Sequence, residues 1–175
     1  MANVQEHIAR LFPEAVFEEG EWLLVNIPDA KWHTLAKTLK EDPELDFDYL
    51  VSLVGMDWTE TLGVMYYLTS TRHGHHISVR VATDNREKPM LHSVSDLWHV
   101  ANLYEREVYD YFGIIFINHP DMRRLFLRND WVGYPLRKDY DASPETNPVR
   151  LDHEAVDDIT YSYVEKPDGT IVKEK

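Results

Sequence analysis

Regular hydrophobic spacing runs through the first two thirds of this chain and then stops. Up to Ile117 apolar side chains recur at helix or strand intervals, whereas from Asn118 prolines stand at 120, 135, 144 and 148 and the periodicity is lost. Proline lacks a backbone donor and clashes with the preceding helical turn, so no long helix can pass through this part. The chain is therefore expected to comprise an α+β domain, residues 1–117, and an extended C-terminal strap with an acidic tail, residues 118–175.

Within the first part, Ile8, Leu11 and Phe12 have the spacing of a short helix over 5–12, stopped by Pro13. Trp22–Ile27 reads as a strand ended by Pro28, and Asp29 is placed to cap a helix carrying Trp32, Leu35, Ala36 and Leu39. Tyr49–Trp58 is read as a strand. The runs 63–70 and 76–83 form a hairpin around Arg72-His73-Gly74-His75, with Ile77, Val79 and Val81 on one face. Ser93-Val94-Ser95-Asp96 has capping-box spacing, and the apolar stripe from Leu97 to Phe112, ended by Gly113, predicts a helix about 30 Å long. This order implies a small, mostly antiparallel sheet with helices on one face. The tail from 141 is too polar to order itself, so it is either disordered or held by a partner.

Composition removes several classes of function. The 175 residues include no cysteine, so the chain cannot supply thiolates to a disulfide, an iron–sulfur cluster or a Cys-ligated zinc. No apolar run reaches the roughly 18–20 residues of a membrane helix. The start, Met1-Ala2-Asn3-Val4, has neither the basic nor the apolar region of a secretory signal, which makes a cytoplasmic location the expectation. A net charge of −13 opposes nucleic acid and anionic lipid. The charge is uneven: residues 1–117 hold nine basic and nineteen acidic side chains, and 118–140 hold five and three.

Candidate chemical groups are few. Glu105 and Glu107 are two apart on a helix and so point about 200° from each other, which prevents them from serving one substrate; Arg106 and Asp110 at i,i+4 can pair on its surface. A solvated or interfacial charged face is the expectation there. His73, His75 and His76 could contribute to a metal site, although adjacent residues of a strand face opposite ways and ordinary hairpin roles are favoured. There is no Gly-rich phosphate loop and no Gly-x-Ser-x-Gly elbow. What remains is the segment from Tyr104 to Tyr140, where cationic side chains alternate with Phe126, Trp131, Tyr134 and Tyr140, a mixture suited to a protein interface.

That segment resembles a known family. Glu105-Arg106-Glu107 with Asp110 and Gly113, then His119 and Arg123-Arg124, then Asp130-Trp131-x-Gly133-x-Pro135-Leu136-Arg137-Lys138-Asp139-Tyr140, is similar to the C subunit of NADH:quinone oxidoreductase (complex I), the respiratory-chain 30-kDa subunit family. Tyr111, where members often carry Met, and Asp141, where Pro is common, depart from the pattern. The resemblance implies an α+β domain in the peripheral arm of the complex, on the cytoplasmic face of a bacterial plasma membrane. Its main partner would be the D subunit, with the B and I subunits nearby, and it would meet the membrane only through the complex. It implies no cofactor in this chain, with FMN and iron–sulfur clusters in companion subunits carrying electrons from NADH to quinone, and no nucleic-acid partner.

On this resemblance Glu105, Arg106, Glu107, Asp110, His119, Arg123, Arg124, Asp130, Trp131, Pro135, Leu136, Arg137, Lys138, Asp139 and Tyr140 are expected to bind partners rather than catalyse. Glu107 and Asp110 would orient arginines of the strap or the partner. Homologous subunits in ferredoxin-using plastoquinone-reducing complexes and membrane-bound hydrogenases are an alternative, as is a stand-alone histidine-based metal enzyme.

Overall fold

The computed structural model describes residues 2–143 and 162–174. Helix α1 (Ala2–Leu11) leads into strands β1 (Val16–Glu18) and β2 (Leu23–Asn26), helix α2 (Asp29–Glu41), and the long strands β3 (Tyr49–Asp57), β4 (Leu62–Thr69) and β5 (His76–Thr83). β6 (Met90–His92), α3 (Ala101–Phe112) and β7 (Ile115–Ile117) follow, and a final hairpin joins β8 (Ser162–Glu165) to β9 (Ile171–Glu174). The strands β1 to β5 make one sheet in the order β1-β2-β5-β4-β3, in which β2·β5 is the parallel pair and the other pairs are antiparallel. This is the expected α+β class.

Strand alternation sorts the side chains. Val25, Val79, Tyr66 and Leu53 lie side by side across four strands and are all buried. On them sits α2, whose apolar stripe of Trp32, Leu35, Ala36 and Leu39 is fully buried, with the Trp32 ring 4.3 Å from that of Tyr66. Burying each large apolar side chain in this layer contributes roughly 1.5–3 kcal/mol. α3 reaches the same sheet at Gly55, where an added Cβ would lie 2.4 Å from the Phe112 ring. Only glycine allows that approach.

Two expected caps do not form. Ser93 belongs to no helix: α3 begins at Ala101 with Val100 before it and no side-chain cap, so it is 12 residues, about 18 Å, rather than 30 Å. Instead the Ser93 hydroxyl donates to Glu105 at 2.6 Å while accepting the Ser95 N–H, and the Trp98 indole N–H donates to Phe47 O at 3.1 Å, holding 93–100 as successive turns. Asp29 opens α2, but its carboxylate accepts from the His92 backbone N–H and ring, both at 2.7 Å. Gly113 does end α3, with φ +70° and its N–H donating to Tyr109 O.

The histidines of the hairpin are tied to the α2–β3 connection. His73 Nε2 donates to Pro43 O and His75 Nε2 to Leu45 O, while His76 faces the other way, against Trp22. Bonded in this way they staple a loop, and among the described residues no group of three potential ligands converges on a metal site.

Residues 162–174 are ordered by the domain itself. β8 lies beside β7, the Asn118 N–H donates to Tyr163 O, and Asn118 Oδ1 accepts from the Glu165 N–H. His92 then bridges Asp29 on α2 and Glu165 on β8 at 2.7 and 3.0 Å. The remainder of the tail, 144–161, lies outside the described residues. The hydrogen bond that the His92 ring donates to Asp29, supplemented by one to Glu165, holds its pKa up at about 9. Because the folded value exceeds the ordinary one, this stabilisation is fully present below about pH 6.5 and is lost as pH rises through about 9. His92→Gln should therefore lower the melting temperature at pH 6–7, and the gap between variant and parent should close by pH 10.

Candidate functional site

The charged residues of α3 divide by burial. Glu105, Arg106 and Asp110 are buried and Glu107 is exposed, so the expected solvated face is replaced by three enclosed ionisable groups. Arg106 and Asp110 do not pair with each other. Each instead holds the strap, because a buried charge is tolerated only when its hydrogen-bonding positions are filled.

Asp110 is the densest of these sites. Its Oδ2 accepts from three successive backbone N–H groups, Leu125 at 3.1 Å, Phe126 at 2.7 Å and Leu127 at 2.8 Å. Its Oδ1 accepts from Arg124 Nη1 at 2.9 Å, and the same guanidinium donates through Nη2 to the carbonyls of Trp131 and Gly133. One carboxylate thus converts residues 124–133 from loose chain into a folded loop. Arg106, four residues back on α3, donates to the carbonyls of Arg123 and Arg124 and lies 3.7 Å from Asp121, which also pairs with Arg123 at 2.9 Å.

The far end of the strap is pinned from the sheet. Arg137 Nε donates to Phe112 O at 2.6 Å and its Nη1 to Arg86 O, with the guanidinium 4.7 Å from the centre of the Tyr134 ring; Arg124 approaches that ring at 5.5 Å. Tyr134 packs so tightly on Gly113 that a Cβ there would lie 2.4 Å from it, and Gly133, at φ +80°, receives the Tyr140 ring. Asp57 at the end of β3 takes a bidentate ion pair from Arg86 at 2.8 and 3.0 Å and the Lys138 N–H at 2.9 Å. The hydrogen bond from Arg86 holds the Asp57 carboxyl well below the usual carboxylate range. Arg86 also reaches Asp139 at 3.1 Å, and Lys138 Nζ bonds Thr59.

Beneath α3 lies a second buried group. Glu105 accepts from the Ser93 hydroxyl and the Val94 N–H, at 2.6 and 2.8 Å, with His119 4.0 Å away. His119 donates from Nε2 to Asn102 O and accepts the Asp121 N–H at Nδ1, which fixes a neutral ring; burial lowers its pKa. Burial likewise pushes Glu105 up to about 8 against the hydrogen bonds from Ser93 and Val94.

The fifteen residues expected to form one interface thus fall into different places. Glu105, Arg106, Asp110 and His119 are interior, and Arg123, Arg124, Asp130, Trp131, Pro135, Arg137 and Tyr140 are partly enclosed within the folded strap. Glu107, Leu136, Lys138 and Asp139 are exposed. Spacing had no way to reveal Asp57 and Arg86, which are far from the strap in sequence. Leu103, Phe126, Val132 and Leu136 are apolar yet 52–62% exposed. For Leu103 there was a signal: it stands outside the apolar stripe of its helix.

Residues 25–146 match the family model described as respiratory-chain NADH dehydrogenase, 30 Kd subunit. The chain belongs to this family. It is 51% identical over 152 residues to a protein of Phocaeicola vulgatus named as the C/D subunit of NADH-quinone oxidoreductase, covering 86% of this chain and 28% of that protein. It is 36% identical over 144 residues to a protein of Roseiflexus sp. named as the C subunit of the same enzyme, covering 79% of this chain and 82% of that one. The chain therefore spans less than a third of the C/D relative's length. A chain in the structure of a membrane-bound sulfane sulfur reductase, an archaeal respiratory membrane complex, has the same fold, with TM-score 0.71, 23% identity and coverage of 89% of this chain and 95% of that one. Among the described residues of this 30-kDa-family chain, no helix is long and apolar enough to cross a membrane.

Two outcomes test this geometry. Arg124→Ala leaves buried Asp110 without its counter-charge and should cost about 3–5 kcal/mol in urea unfolding. Glu105→Gln keeps the acceptor for Ser93 and Val94 but cannot ionise. The parent's Glu105 has a folded pKa above its ordinary value, so its stability contribution is present below about pH 4.5 and is lost as pH rises through about 8. The variant should lose this decline, giving a flatter stability profile between pH 5 and 8.

Proposed function

We propose that this chain is the structural C subunit of an NADH:quinone oxidoreductase, docked chiefly on the D subunit through its folded strap. One observation carries the reading: Phe126, Val132 and Leu136 are held out to solvent on a backbone pinned from within by Asp110, Arg106 and Asp57. Phe126 stacks on Tyr111 at 5.9 Å and the Leu136 N–H bonds Tyr111 O, so these side chains project from one place with little freedom left to lose. Preordered apolar anchors of this kind lower the entropic cost of association.

Relatives named as C/D subunits join the two in one polypeptide, which supports the D subunit as the main neighbour. The B and I subunits would be further neighbours, and the chain would sit peripherally on the cytoplasmic face of a bacterial plasma membrane, attached through the complex alone. Without cysteine or a nucleotide-binding loop, it would leave NADH oxidation, FMN, the iron–sulfur clusters and quinone reduction to its companions. The isolated chain would have no turnover of its own.

Replacing Phe126 and Leu136 together by aspartate tests this reading, since both are already solvated. The purified variant should keep its melting temperature within a few degrees, while recovery of the chain with the D subunit from membranes should fall at least tenfold. Normal recovery together with lost quinone reduction would instead place the chain in the chemistry.

A further inference from the structure

The second face of the main sheet has no helix on it among the described residues. Opposite the layer covered by α2 and α3, two rows cross four strands: Leu24, Ser78, Tyr67 and Ser52, then Asn26, Arg80, Met65 and Val54. This face opens into a hollow of about 440 Å3 bounded by Trp22, Leu24, Val51 and Tyr67. Trp22 stands edge-on to Tyr67, with ring centres 5.5 Å apart, while Val51 and Val54 on edge strand β3 are 39% and 43% exposed. Two aromatic rings with Leu24 and Val51, set around the small side chains of Ser52 and Ser78, are the composition of a protein-binding centre more than of a charged, solvated sheet surface.

The rim supplies the sign of the partner. Glu18, Glu19 and Glu21 line one side of the hollow. Glu18 is occupied by Asn26 and Arg80, whereas Glu19 and Glu21 are exposed and make no ion pair among the described residues. Arg80 is further held over the Trp58 ring at 5.6 Å. The hollow therefore presents Trp22, Leu24, Val51 and Tyr67, with two small serines between them, beside uncompensated negative charge.

We infer that this sheet face is a second docking surface, whose occupant is an aliphatic segment of a companion protein flanked by lysine or arginine. The inference rests on the reading of the chain as part of a larger assembly, but it uses a face separate from the strap. Two other occupants are disfavoured by charge. A second copy of the chain would bring like glutamate rims together. Residues 144–161 carry five acidic side chains and a single arginine, the same sign as the rim. A chain with one face for the D subunit and another for a basic segment would hold two neighbours in fixed relation.

A photo-crosslinking amino acid at Val51 and, in a separate preparation, at Phe126 distinguishes the two surfaces within the assembled complex. The Val51 probe should capture a companion peptide bearing aliphatic residues flanked by Lys or Arg, identified by mass spectrometry. Capture of another copy of this chain, of its own residues 144–161 or of an acidic companion segment overturns the inference. So does absence of a Val51 adduct in complexes where the Phe126 probe reacts. A productive Val51 probe with a silent Phe126 probe would overturn strap docking instead. Reversing the rim with Glu19→Lys and Glu21→Lys should lower recovery of the captured companion about tenfold at low salt, with the loss shrinking as salt rises; unchanged recovery refutes the charge complementarity.

Discussion

The carboxylate of Asp110 decides the path of residues 124–133. Four donors meet it, three from consecutive backbone N–H groups and one from Arg124, in a site closed to water. Away from water an ionised carboxylate with unfilled positions would be strongly destabilising, so the carboxylate and the loop require each other. Without the loop α3 would bury a bare charge. Without Asp110 the residues from 124 to 133 have too few apolar side chains in contact with the core to fold back on it.

The consequence is an exchange between inside and outside. Side chains usually found at the surface, Glu105, Arg106, Asp110 and Arg124, are drawn into the packing around α3, and several apolar ones, Phe126, Val132 and Leu136, are left in water. A free-standing domain gains nothing from that exchange, because exposing large apolar side chains forgoes burial energy. In this 30-kDa-family protein the buried charges fix the backbone that carries those exposed side chains, and the proposed docking rests on that feature. The sheet face without a helix among the described residues is a second place of this kind, where the connection from β1 to β2 sets Glu19 and Glu21 beside the Trp22 and Tyr67 rings.

Much of the secondary structure was legible because it is local. Alternation in 76–83 and the three-and-four spacing of Trp32, Leu35, Ala36 and Leu39 lead directly to β5 and α2. Reading failed where two partners competed for one group. Ser93 looked like a helix cap, yet its hydroxyl is drawn to buried Glu105 and the chain turns through 93–100 before α3 begins. Asp29 looked like another cap, yet His92 claims it from 63 residues away. The site behaved similarly. Its residues were recognisable as a group from their resemblance to the family, but Asp57 and Arg86, which clamp the end of the strap, carry no local mark at all.

From the amino-acid order alone came the α+β class, the loss of hydrophobic periodicity near Asn118, the lack of any thiolate and the family resemblance. These follow from composition and from periodicities that extend over a few turns or strands; the strands β8 and β9 beyond Asn118 had no such signal. Only the tertiary structure decided that Asp110 pairs with Arg124 while Arg106 and Arg137 turn to backbone carbonyls instead of water, that residues 162–174 return to the domain as a hairpin beside β7, and which apolar side chains remain outside. Those outcomes depend on which distant groups arrive at the same buried place, and a buried charge selects its partner by position and desolvation, neither of which is encoded in spacing along the chain.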